Sequence, residues 1–406
     1  MVEQAGMGLC LAKQWHKGGT MLAARMLTAK PPIPAPVSPF FVYAVGLNSN
    51  FRTALGTSTG DTTAFTKVGS ATYTMIAGGG SFCILLKSDG TLWSSGSNAN
   101  GKTGQNTTTG DTNGPTQIGS ATNWVYISAG TSTAAAINSL GELWTWGSNA
   151  NYGTGLGTNS GNTLVPTKVG SATTWSKVAM ANAFGIATRT NGTLWSFGIS
   201  AVYQTGQNTT TDVQNPTQIG SATNWSILPA SAGELGCGCI NTSGELYTWG
   251  TNANYVSAQG TNVGSTQVPT KVGTDTNWSG LAFLGQSTAA MLLVKTNGTL
   301  WSIGVNDNYR TAQGTNVGDT TTLTQIGIDS NWRKVGGARA YAGGFAIKFD
   351  NTAWSWGANY HYAGGLGITD PADTQVPTQI GTAKDWAALM VTGGSTTAFT
   401  LALKKV

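Results

Sequence analysis

The chain has 406 residues, 57 of them glycine and 15 tryptophan, and only 9% are charged. That aromatic content excludes a disordered chain, and the charge lies far under the roughly 25% of an average soluble domain. The formal net charge is +5, but three of those charges fall in residues 1–39, which leaves too little elsewhere to grip nucleic acid.

In chain order, TMLAARMLTAK (20–30) predicts a short helix carrying Met21, Leu22, Met26 and Leu27. KPPIPAPVSP (30–39) predicts a semi-rigid polyproline II spacer. Residues 1–39 are therefore read as an N-terminal arm and linker, suited to holding a globular head away from a larger assembly. Lys13, Lys17 and Arg25 interrupt every apolar stretch, so no secretory segment is expected. No run reaches the ~18 apolar residues needed to cross a bilayer, so no membrane insertion is expected.

From residue 40 onward three markers recur with a period near fifty. The first is a glycine turn leading into an aromatic strand: DGTLWSSG (89–96), LGELWTWG (140–147), NGTLWSFG (191–198), SGELYTWG (243–250), NGTLWSIG (297–304) and DNTAWSWG (350–357). The second is Thr-x-(Val/Ile)-Gly, from FTKVG (65–69) to PTQIG (377–381). The third is an aromatic just beyond it: Tyr73, Trp124, Trp175, Trp225, Trp278, Trp332 and Trp386. The second and third markers occur seven times and the first six times. FVYAVG (41–46) supplies the missing copy, because AFTLALKKV (398–406) aligns with FCILLKSDG (82–90) and stops where its hairpin partner should begin. The expected architecture is an all-β, seven-bladed β-propeller over residues 40–406, closed by pairing the N- and C-terminal strands. Apolar runs such as FCILLK (82–87) predict strands covered on both faces.

The combination G-x-L-W-x-W-G-x-N with a downstream P-T-x-(Val/Ile) resembles the regulator of chromosome condensation repeat family. That resemblance covers about residues 40–406 and implies a seven-bladed propeller of fifty-residue repeats. Eukaryotic members act as exchange factors on a small GTPase. Neither an acidic wedge nor a basic tail stands out to carry that activity over.

Most of the chemistry is expected to be structural. The strand aromatics Tyr43, Trp93, Trp144, Trp195, Tyr247, Trp301 and Trp354 recur once per blade and are assigned to packing. Asp61, Asp111, Asn162, Asp212, Ser265, Asp319 and Asp373 stand five residues before the Thr of the second marker. A short acceptor there is expected to cap a turn through its own backbone amides. Cys10, Cys83, Cys237 and Cys239 match neither a disulfide framework nor a zinc site. With no Ser–His–Asp spacing, paired-carboxylate signature or phosphate loop, neither catalysis nor a cofactor or metal is expected.

One loop differs from the rest. After each N-x-N comes an aromatic, then a residue that changes from blade to blade. Phe51 with Arg52, Tyr152, Tyr203 with Gln204, Tyr255, Tyr309 with Arg310, Tyr362, and Lys102 in the loop that lacks an aromatic are the candidate ligand-binding residues. Aromatic faces beside amides or cations suit sugars or an exposed peptide. The alternative is that the tyrosines brace their own loops. The function expected from these features is a non-enzymatic structural or binding propeller. The favoured setting is a bacteriophage capsid or tail appendage, joined to other virion proteins through its arm and recognising a cell-surface glycan or protein. A bacterial protein-binding inhibitor or scaffold, cytoplasmic or released by lysis, is the alternative.

Overall fold

The glycine turn and the alternating W-x-W-G stretch make a hairpin, and two further strands extend each hairpin into a four-stranded antiparallel blade. The computed structural model describes residues 39–406 apart from 231–232, 286–289, 337–342, 369–372 and 393–397. The expected arm helix and the spacer up to residue 38 lie outside the described residues. Blade 2 is representative: Trp124–Ala129, Thr133–Asn138, Leu143–Ser148 and Asn162–Lys168 pair in that order. The second strand is covered on both faces, as its apolar sequence requires, and so is Phe82–Lys87 up to its terminal lysine. The outermost strand is partly exposed and carries Pro166, which an edge tolerates because no further strand needs its missing N–H.

Five four-stranded sheets account for blades 2 to 6. The remaining seven-stranded sheet is two blades joined by one long strand, Thr62–Gly78. Its first half pairs with Phe40–Gly46 as the outer strand of blade 7, and its second half, from Tyr73, pairs with Phe82–Lys87 as the inner strand of blade 1. Blade 7 is completed by Trp386–Thr392 and Phe399–Lys405, and the register from Phe40↔Lys405 to Gly46↔Phe399 is unbroken. Seven blades therefore close into a ring through the two chain ends, which protects the edges of an open stack.

The innermost strands of neighbouring blades pack on one another, and the apolar core fills the space between blades. Ala77 and Phe82 of blade 1 meet Trp124, Ile127 and Trp146 of blade 2 in one such cluster. Within a blade, the glycine near the end of the third strand lets that strand close on the start of the second. Gly147 sits at φ 103°, and a Cβ there would lie 2.3 Å from the Ser132 carbonyl oxygen. Cys83, Cys237 and Cys239 are buried and free; burial pushes the Cys83 thiol up to about 12 and raises the other two as well. These thiols are core residues that stay protonated and unreactive at neutral pH.

Candidate functional site

The loop between the third and fourth strands of each blade is built from its asparagines outward. In blade 1 the Asn98 side chain accepts from the amide and hydroxyl of Thr103 and donates to the Thr107 carbonyl at 2.8 Å. The second asparagine and the aromatic after it both adopt the left-handed region, as at Asn151 (φ 53°) and Tyr152 (φ 58°). Asparagine enters that region readily, whereas an aromatic residue rarely does. Phe51, Tyr203, Tyr255, Tyr309 and Tyr362 share the conformation, and the one departure from the aromatic pattern is Gly101, at φ 70°. These aromatics are half-buried.

Beyond this reversal the next residue lies beneath the loop. Arg52, Lys102, Gln204 and Arg310 are 4%, 6%, 1% and 3% exposed, as deeply placed as Val256 and Ala363 at the same position. Arg52 donates through Nε to the Ser49 carbonyl, Lys102 Nζ donates to Ser81 Oγ at 2.8 Å, and Arg310 pairs with Asp307 at 2.9 Å. Gln204 Oε1 accepts from the Val202 amide at 2.8 Å. Burial, added to by Arg52 nearby, lowers the Lys102 ammonium to about 8.

What the loop grips is the next blade. The backbone carbonyls of Lys102, Gln204 and Arg310 accept from the indole N–H of Trp146, Trp249 and Trp356, at 3.0, 2.8 and 3.1 Å. On the two sides of blade 7, Ser95 Oγ of blade 1 donates to the Phe51 carbonyl and Thr400 Oγ1 of blade 7 donates to the Ala363 carbonyl of blade 6. The second asparagine reaches the recurring aspartate of the following blade: Asn50 to Asp111 at 2.7 Å, Asn151 to Asp212 and Asn308 to Asp373 at 3.2 Å. His361, which replaces that asparagine in blade 6, meets Asp61 of blade 7 at 2.7 Å. The aspartate series thus has a different role from turn capping through its own amides. Asp212, for example, accepts from Asn151 of blade 2 and from the Ser200 amide of its own blade, twelve residues away.

The opposite end of the blades carries a second layer, where tryptophans ending one loop and starting the third strand stack edge to face. Trp124 with Trp144, and Trp175 with Trp195, have ring centroids 5.7 Å apart. At the end of each second strand stands Lys87, Asn138, Arg189, Asn241, Lys295, Lys348 or Lys404. The cations lie over these rings: Lys295 Nζ is 4.1 Å from the Trp301 centroid, and Lys348 Nζ is 4.0 Å from that of Trp354. Where the residue is asparagine, a glutamate opens the third strand and a lysine sits on the fourth, giving Asn138–Glu142–Lys168 and Asn241–Glu245–Lys271. Elsewhere a threonine receives the indole N–H, as in Trp93 to Thr91 to Asp89. A covariation within the repeats marks the two versions: GELW and GELY go with PTKVG, and GTLW goes with PTQIG or LTQIG. Among the described residues, no group of three His, Cys, Asp or Glu is placed to hold a metal ion.

Residues 141–187, which span the third and fourth strands of blade 2 and the first two of blade 3, match the family model of the regulator of chromosome condensation (RCC1) repeat. The chain carries an RCC1 repeat within a seven-bladed propeller. The E3 ubiquitin-protein ligase HERC2 of Homo sapiens is 28% identical over 127 residues, which are 30% of this chain and 3% of HERC2. The RCC1 domain-containing protein RUG3, mitochondrial, of Arabidopsis thaliana is 29% identical over 30% of this chain and 28% of its own length. The match therefore spans less than a third of the length of each of these relatives. Among solved structures, Prp20p of Saccharomyces cerevisiae, studied with its binding to Gsp1p and histones, superposes at a TM-score of 0.76 and 19% identity, over 91% of this chain and 92% of that one. Human WBSCR16 superposes equally well, at a TM-score of 0.76 and 14% identity, over 91% of this chain and 99% of its own. At these identities the RCC1-repeat propeller shares the fold of those proteins.

Proposed function

We propose that this RCC1-repeat propeller is a non-catalytic binding module that offers a rigid ring to a protein partner. The blade-to-blade clamp carries the reading. Polar residues that could have served chemistry, including Asp61, Asp111, Asp212, Asp373, His361 and Arg310, act as structural donors and acceptors between or within loops. A ring held this way presents fixed surfaces, so a partner binds without ordering the scaffold first. Binding to Gsp1p or histones is not transferred from Prp20p, since likeness at 19% identity concerns the fold.

The finer setting we favour is a virion component attached through residues 1–39. Its support is the charge-poor Gly-rich composition and the proline-rich spacer of residues 30–39. Sedimentation of native material followed by proteomics of each fraction tests both levels. Co-sedimentation with a capsid or tail protein at fixed stoichiometry is expected. A fixed complex with a different protein would overturn the virion setting alone, and turnover of a substrate by the free protein would overturn the binding-module reading.

A further inference from the structure

The cation position at the end of the second strand follows one rule with one departure. Lys87, Lys295, Lys348 and Lys404 each pair with an aspartate, Asp89, Asp275, Asp329 and Asp385, at 2.6–3.2 Å. Arg189 of blade 3 lies over the same kind of tryptophan pair, its guanidinium carbon 3.6 Å from the Trp195 centroid and 4.5 Å from that of Trp175. Among the described residues, no carboxylate pairs with it. Ala172 stands where blades 5 and 6 carry Asp275 and Asp329, three residues before the tryptophan; Thr174 stands at the place of Asp385; Asn191 stands at the place of Asp89. Arg189 Nε is buried and has no hydrogen-bond acceptor.

The open side of Arg189 is a groove of about 400 Å³ between blades 3 and 4. Its lining is hydroxyl, amide and cation, including Lys177, Asn191, Ser226 and Thr242, with no carboxylate. Lys177 Nζ donates to the Ser226 carbonyl at 2.6 Å and holds a second positive charge at the rim. A guanidinium held over an indole offers its N–H donors as a planar fork, which matches a planar carboxylate. The other blades show which counter-ion belongs beside this cation: an aspartate carboxylate.

We propose that the groove between blades 3 and 4 binds a carboxylate contributed from outside the chain, by an acidic segment of a protein partner. This deepens the binding-module reading and rests on it. The carboxylate takes the place beside the cation that Asp89 fills in blade 1, where blade 3 has Asn191 in the groove wall, bridging Arg189 while the acidic chain runs along the hydroxyl-lined groove.

The probe is a fluorescein-labelled acetyl-hexaglutamate amide, titrated by anisotropy at low salt against the full chain, with unlabelled acetate and inorganic phosphate as competitors. Saturable binding is expected, weakened about ten-fold or more by Arg189→Gln. Asn191→Asp, which supplies the missing internal carboxylate in the groove wall, should remove binding to a similar extent without lowering the urea unfolding midpoint, and it decides the matter if the arginine variant does not fold. Lys384→Gln removes one exposed charge elsewhere and should leave binding unchanged. Absence of saturable binding, or equal weakening by Lys384→Gln, would overturn the site. Phosphate displacing the peptide better than acetate does would overturn the assignment to a carboxylate. Either failure would leave the co-sedimentation result, and so the binding-module reading, untouched.

Discussion

Replacing Lys102 by methionine should make the protein more stable. The side chain is 6% exposed, donates to Ser81 Oγ at 2.8 Å and has no acid within ion-pair distance, so burial lowers its ammonium from 10.5 to about 8. A difference of that size is worth at most about 3 kcal/mol at pH 7, because one pKa unit is about 1.4 kcal/mol. Methionine keeps the stem that packs beneath the loop, and the same position is apolar in blades 4 and 6, at Val256 and Ala363. Part of the gain is offset by loss of the Ser81 contact, so about 1–3 kcal/mol of added stability is expected. The folded-state value lies below the unfolded one, so between pH 8 and 10.5 the unfolded chain holds more protons and wild-type stability rises with pH. Urea unfolding of both proteins from pH 7 to 10.5 checks this: the variant's advantage should be full at pH 7 and shrink across that window. A variant no more stable than wild type at pH 7, or an advantage that does not change with pH, would refute the reasoning.

Other outcomes follow from the same contacts. Trp249→Phe keeps a ring where blade 3 has Phe197 but leaves the Gln204 carbonyl without its 2.8 Å donor, and should cost about 1–3 kcal/mol in urea unfolding. His361→Asn restores the residue type of the other blades at the Asp61 contact and should be near neutral, whereas His361→Ala should cost about 1 kcal/mol by the same assay. Glu142→Thr and Lys168→Gln convert blade 2 toward the alternative version of its layer; a double-mutant cycle should give a coupling of about 0.2–1 kcal/mol, with the double variant milder than the sum of singles. Lys168 and Asn138 hold the Glu142 carboxyl below its ordinary value, so this stabilisation is present above the unfolded-state value and lost as pH falls through the folded one. Glu142→Gln should accordingly flatten the acid limb of stability measured from pH 7 to 3.

The ring was legible because its markers are local and repeated. The alignment of residues 398–406 with 82–90 placed the seam at the strand pair that runs from Phe40↔Lys405 to Gly46↔Phe399. The site was less legible for a specific reason. Arg52, Lys102, Gln204 and Arg310 are polar residues in loops, which ordinarily face solvent, yet a left-handed residue just before each carries it under the loop. The signal was present in Gly153, Val256 and Ala363 at the same position, since a displayed contact residue would not be replaced by small apolar ones. The aspartate series was visible as a pattern, but its partner asparagines stand about sixty residues away, at 50, 151 and 308, and only the packing of one blade on the next joins them. Arg189 escaped notice because its distinguishing property is a missing partner, and the three places where that partner would stand are spread over two loops.

Native-state hydrogen exchange, read by mass spectrometry across a urea series, tests the central claim that seven interlocked blades form one closed scaffold. The account predicts that amides of the seam strands 40–46 and 399–405 exchange with the same free energy as the corresponding strands of blade 3, in a single cooperative opening. Seam strands that open at lower urea, while blades 2 to 6 stay protected, would contradict it.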